Sequence, residues 1–95
     1  MNESVISHIE KAIADRKTDL LHLRVLAERA DPDKQNEYYR IIEEIVAREN
    51  AVRDRLARFS GAATEARPTL QKEIEELWQG TEEAIEVAKA KILEF

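Results

Sequence analysis

The sequence predicts an all-α fold in which three long antiparallel helices form a coiled-coil-like three-helix bundle. Three observations carry that prediction. Apolar residues recur at alternating steps of three and four along most of the chain, the spacing of helices that share a narrow seam. Apolar positions of the first and middle thirds also pair at a constant sum of residue numbers. Ile6 pairs with Phe59, Ile9 with Leu56, Ile13 with Val52, Leu20 with Ile45, Leu23 with Ile42 and Ala27 with Tyr38, as two helices folded back on one short turn require. Finally, the chain is 43% hydrophobic and 37% charged with only two Gly and two Pro, a mix of few breakers and many charges that suits long helices rather than sheets.

The elements follow in order. A first helix is expected over about residues 3–30, with the ladder Ile6, Ile9, Ile13, Arg16, Leu20, Leu23, Ala27 and Ala30. Asp31-Pro32-Asp33 breaks it and starts the next. Asp31 suits a cap, Pro32 stands where a missing N–H costs nothing, and Asp33 favours the positive helix end. The second helix, about 32–59, carries Gln35, Tyr38, Ile42, Ile45, Glu49, Val52, Leu56 and Phe59. Ser60-Gly61 ends it, with Gly61 suited to a left-handed conformation. The third helix, about 68–95, opens near Pro68 with Thr64 or Arg67 as caps. Its ladder is Leu70, Ile74, Leu77, Thr81, Ala84, Ala88, Lys91 and Phe95, with Trp78, Ile85 and Ile92 in a row beside it. The spacing favours one helix continuing through Gly80-Thr81 over a fresh start there. Small Ala84 and Ala88 meet large Ile42 and Tyr38 when the third helix folds back on the second. The competing arrangement is an open hairpin that donates its third helix to a partner chain. Residues 1–95 make one domain by length, with a bundle roughly 40 Å long at 1.5 Å per residue.

Charge narrows the partners. The net charge is −5, and residues 65–95 supply most of it, with eight acids against four bases. Such a chain is repelled by nucleic-acid phosphates and by anionic lipid. The cluster Arg48, Arg53, Arg55 and Arg58 is interleaved with Glu49 and Asp54, so intramolecular pairing is expected of it and no nucleic-acid role. There is no Cys, which excludes disulfides and thiolate metal sites. The mixed charges of residues 1–14 do not read as a signal peptide. No apolar run approaches the roughly 20 residues that span a bilayer. A cytoplasmic protein with no cofactor and no metal is expected.

Candidate chemistry is sparse. Arg16 and Glu49 form the one layer of the first seam that is not apolar, and their opposite charges predict an ion pair that penalises slipped alignments. His8 and His22 stand about 21 Å apart along one helix edge, too far to share a metal. The adjacent carboxylates Glu43-Glu44, Glu75-Glu76 and Glu82-Glu83 splay by about 100° on a helix and cannot face one another across a substrate. Ser4, Ser7 and Ser60 have no base nearby in sequence. No catalytic residue is expected. At the flanks, Arg55 is expected to meet Glu73, Glu10 to meet Arg53, and Arg53 to lie over Trp78.

One feature does not serve the bundle. Ala14, Thr18, Leu21 and Val25 make a second semi-apolar stripe on the first helix, roughly 150° from its main seam at 100° per residue. A stripe of this kind points to a partner surface, and the expectation is a non-enzymatic interaction module acting by helix-mediated protein–protein contact as a homodimer. The alternative is reversible binding to lipid surfaces by an opening bundle, which the acidic balance disfavours. The helical hairpin, Tyr38-Tyr39 opening the second helix, the Ser60-Gly61 break, Trp78 and the terminal Phe95 together resemble a loose group of small bacterial coiled-coil proteins. Pro68 and Gly80 depart from the smoother third helix of that group. The resemblance implies a helical fold, a stress-associated setting for some members, and no catalytic residues.

Overall fold

A computed structural model describes the backbone of residues 2–93 and the side chains of residues 5–93. It has three helices, α1 (Asn2–Arg29), α2 (Pro32–Ser60) and α3 (Arg67–Ile92). Phe95, expected as the last rung of the third ladder, lies outside the described residues. Each helix packs on both others within the one chain, as an all-α bundle requires. The molecule measures 51 × 18 × 16 Å along its principal axes, a rod with three helices in its cross-section.

The break between α1 and α2 falls where Pro32 places it. Proline has no N–H and cannot continue α1, but its fixed φ suits the first turn of α2. Asp31 is the N-cap of α2 without a side-chain hydrogen bond. Its backbone carbonyl instead accepts from the amides of Lys34 and Gln35 at 2.8 and 2.9 Å, and the Gln35 side-chain amide donates to the Glu28 carbonyl at 2.7 Å. At the other end Gly61 sits at φ −99°, ψ 3°, so the expected left-handed cap is not formed. The Gly61 amide bonds back to Phe59, and an Ala63–Ala66 turn carries the chain into α3. No side chain caps α3 either. Ala66 holds the N-cap position, with Arg67 and Pro68 already helical.

The first two ladders are buried as their spacing predicts. Ile6, Ile9, Ile13, Leu20, Leu23 and Ala27 of α1 face Ile42, Ile45, Val52, Leu56 and Phe59 of α2 inside the bundle. The third ladder is rotated from expectation. Its buried residues are Ile74, Trp78, Thr81, Ile85, Ala88 and Ile92, while Leu70, Leu77 and Ala84 are half-buried and Lys91 is exposed. The seam therefore runs between the two apolar rows and not along the first alone, a turn of roughly 50° at 100° per residue. The physical reason is α1: a third helix that covers two others must present a face wide enough for both, and the Trp78–Ile85–Ile92 row supplies that width.

The core is divided. One apolar cluster joins Ile6, Ile9, Ile13, Val52, Leu56, Phe59, Ile74 and Trp78. A second joins Leu20, Leu23, Ala27, Ile42, Ile45, Ile85, Ala88 and Ile92. Between them lies a polar waist contributed by all three helices, Arg16, Glu49 and Thr81.

Candidate functional site

Two places in the molecule depart from a minimal bundle: the waist, which is polar where it is buried, and the back of α1, which is apolar where it is exposed.

At the waist the expected Arg16–Glu49 ion pair is not formed. Arg16 is half-buried and turns toward α3, its guanidinium donating to Asp19 of its own helix at 3.2 Å and to Glu82 of α3 at 3.4 Å. Lys89 of α3 reaches Asp19 at 3.1 Å and Glu86 at 3.5 Å, so a five-residue charged ribbon ties α1 to α3. These two helices run parallel, both being antiparallel to α2, and the pairings link residues at similar heights. The hydrogen bond to Asp19 is the main reason the Arg16 guanidinium is held above its ordinary value, with Glu82 adding to it against the opposing effect of burial. Burial acts to raise Asp19, yet the hydrogen bonds from Lys89 and Arg16 together outweigh it and hold the carboxyl below its ordinary range.

Glu49 is left without its partner. Only 6% of it is exposed, and its Oε2 accepts no hydrogen bond from any described group. Desolvation pushes its carboxyl above the ordinary value, and the nearby charges of Arg53 and Arg24 pull only partly against that. The pairing failed because only one of the two side chains turns out of the layer. Arg16 leaves it toward Asp19 and Glu82, while Glu49 stays inside, with Arg24 and Arg53 near enough only for their charges to be felt. Thr81 completes the layer and satisfies itself locally, its hydroxyl donating to the Leu77 carbonyl at 2.8 Å.

On the back of α1, Ala14, Thr18, Leu21 and Val25 are all exposed, Leu21 by 55% and Val25 by 42%. Their spacing of four, three and four places them on one face. Lys11 and Glu28 continue the stripe at its two ends, both exposed. Neither side chain makes an ion pair with another described residue.

The sequence reading missed a second surface. An open groove on the α2/α3 face is lined by Ile41, Glu44, Arg48, Gly80, Ala84 and Val87, with Val87 56% exposed. The Gly80–Ala84–Val87 spacing carries the signal, but Ala84 is expected in the ladder, Gly80 is weighed only as an interruption of the helix, and Val87 has no role in the sequence reading. Arg48 spans the groove: its guanidinium would lie 3.4 Å from a side chain placed at Gly80 and is held by Glu44 at 3.1 Å.

The remaining expected charges divide. Arg55 pairs with Glu73 across α2 and α3 and with Asp54 at 2.6 Å, and Glu73 is the main cause that holds its guanidinium above the ordinary value. Arg58 also reaches Asp54, at 3.3 Å. Glu10 and Arg53 form no ion pair among the described residues. The cation–π contact that is present sets Arg67 over Phe59 at 5.3 Å, in place of the expected Arg53 over Trp78. His8 and His22 are exposed. Among the described residues no group of three or more His, Asp or Glu side chains is placed to hold a metal ion, and no helix is long and apolar enough to cross a membrane.

No protein family, curated protein or solved structure matches the chain, so its function has to be read from these residues alone.

Proposed function

We propose that the protein is a non-catalytic interaction module of the cytoplasm that associates with a second copy of itself through the back of α1. The observation that supports this reading is the exposed stripe of Ala14, Thr18, Leu21 and Val25. The bundle already buries a complete seam on the opposite side of the same helix, so folding does not need these residues. Single exposed aliphatics are ordinary, but three of them with a threonine, in helical register on one face, are the pattern of a helix seam. Burying a Leu and a Val side chain gains roughly 1.5–3 kcal/mol each, against a substantial loss of translational and rotational freedom. The association is therefore weak and reversible, of the kind that responds to local concentration.

Nucleic acid is not the partner in this reading. Arg48, Arg55 and Arg58 are occupied by Glu44, Glu73 and Asp54, which leaves little positive surface for phosphates. Sedimentation velocity over a wide concentration range tests the proposal. The wild-type chain should shift from monomer toward dimer, and replacing Leu21 and Val25 together with Glu should hold it monomeric with its helicity unchanged. A chain that sediments as a monomer at every concentration would refute the reading, and one whose helicity collapses on the double change would place the stripe in the core.

A further inference from the structure

The stripe on α1 carries more than apolar character; it carries direction. Read along one face, it runs Lys11, Ala14, Thr18, Leu21, Val25, Glu28. The first half is a cation followed by two smaller residues. The second half is two larger residues followed by an anion.

We propose that two copies pair α1 against α1 in antiparallel fashion, with Lys11 opposite the partner's Glu28, Ala14 opposite the partner's Val25, and Thr18 opposite the partner's Leu21. This rests on the reading of α1 as a self-association surface and specifies the geometry of that contact. Antiparallel pairing sets each small residue against a large one, so the layers fill evenly, and closes both ends of the seam with opposite charges. A parallel pair would set Lys11 against Lys11 and Glu28 against Glu28, with the small residues facing one another across a gap. The antiparallel contact is isologous: each residue pair occurs twice about one two-fold axis, so assembly stops at the dimer. Two flanking groups follow the same rule. Asp15 falls beside the partner's His22, an attraction once that imidazole is charged, while Lys17 falls beside the partner's Arg24. The second pair is like-charged and exposed, so it costs little. With four seam residues a side the contact belongs to the small, transient class of interfaces.

The chain has no Cys, so a single spin label reports the geometry cleanly. His8 is exposed and flanks the stripe. On His8→Cys, labels in the antiparallel dimer stand roughly 35 Å apart along the helix axis at 1.5 Å per residue, whereas a parallel pair brings them within roughly 20 Å, about two helix diameters. Charge reversal gives the independent arm. Lys11→Glu or Glu28→Lys alone touches two symmetric contacts and weakens dimerisation by about tenfold, since exposed pairs contribute little each. Lys11→Glu with Glu28→Lys restores it to within about twofold of wild type, with circular dichroism confirming intact helices throughout. A dimer with the short label distance, or one in which the double reversal fails to restore what the singles remove, overturns the antiparallel register while self-association through α1 stands. A dimer indifferent to Leu21→Glu with Val25→Glu overturns α1 as the surface. A chain monomeric at millimolar concentration overturns both.

Discussion

The two apolar clusters are built from the same three helices yet differ in kind. The cluster around Phe59 and Trp78 is aromatic and branched, and lies at the end where the 61–66 connector joins α2 to α3. The cluster around Leu23, Ile45 and Ile85 is wholly aliphatic at its centre, includes the fully buried Ala27 and Ala88, and lies at the end where residues 30–31 join α1 to α2. In the first, bulk fills the space. In the second, small residues draw the helices together around Leu and Ile. The waist of Arg16, Glu49 and Thr81 keeps them from merging. The difference teaches that a rod this thin divides its core into two packing solutions, with one buried carboxylate set between them.

The largest expected effect comes from breaking one cluster. Leu23 is 1% exposed, and Leu23→Ala should cost about 2–5 kcal/mol, the range for emptying a buried leucine. Trp78 reports on the other cluster. In this variant the loss of helical circular dichroism on heating should begin below the temperature at which Trp78 fluorescence changes. Coincident transitions would show that the waist does not divide the unfolding.

The next effect joins the clusters. Replacing a buried carboxylate that lacks a partner with an apolar side chain of similar size should stabilise by about 1–3 kcal/mol, so Glu49→Leu should raise the midpoint of denaturant unfolding and bring the two signals together. Acidity gives a milder version of the same change. The folded-state pKa of Glu49 lies above its ordinary value of 4.5. Its neutral form is therefore favoured by folding, and stability is gained as pH falls through the folded-state pKa toward 4.5 and is lost as pH rises again. The advantage of Glu49→Gln over wild type should accordingly be greatest near neutral pH and shrink toward pH 4. A constant advantage across that range would mean the carboxylate is not what burial penalises.

Gly80 sits in the middle of a continuous helix, where glycine costs about 0.5–1 kcal/mol relative to alanine. A side chain there meets only the mobile tip of Arg48, at 3.4 Å. Gly80→Ala should therefore recover most of that amount, measured as a raised melting temperature with the same helical content. Destabilisation would show that the close approach of α2 and α3 depends on the missing methyl.

The smallest effect belongs to the charged ribbon. Asp19 is bonded by Arg16 and Lys89 at a partly exposed edge, so Asp19→Asn should cost less than about 1 kcal/mol after solvent screening. Asp19 has a depressed folded-state pKa. Its contribution is present above the ordinary value of 3.8 and disappears as pH falls through the folded-state value. Wild type and variant should converge in strong acid and in high salt, the opposite direction to Glu49.

Much of this was legible before any coordinates. The constant-sum pairing of Ile6 with Phe59 through Ala27 with Tyr38 located the hairpin because a heptad ladder admits one antiparallel register with a short turn. The exposure of Leu21 and Val25 followed from their angle to that ladder. The orientation of α3 did not follow. Two apolar rows lay side by side, and spacing alone cannot say which a pair of neighbours will share. The partner of Arg16 was missed for a related reason: sequence layers give heights along the bundle, but the edge by which a long side chain leaves its layer depends on what the third helix offers there, in this case Glu82. The orphaned state of Glu49 is the consequence of that exit.

An odd number of helices has a mechanical corollary. The first described residues of α1 and the last of α3 lie at opposite ends of a rod 51 Å long, and α1 and α3 run in the same direction, each packed on the other and on α2. Tension applied to the two ends pulls α1 one way and α3 the other, sliding each along its neighbours instead of peeling it from them. Under such a load every layer is strained at once, whereas a two-helix hairpin held by its ends would open rung by rung. The bundle is a short strut that resists stretching along its length better than prying at its side.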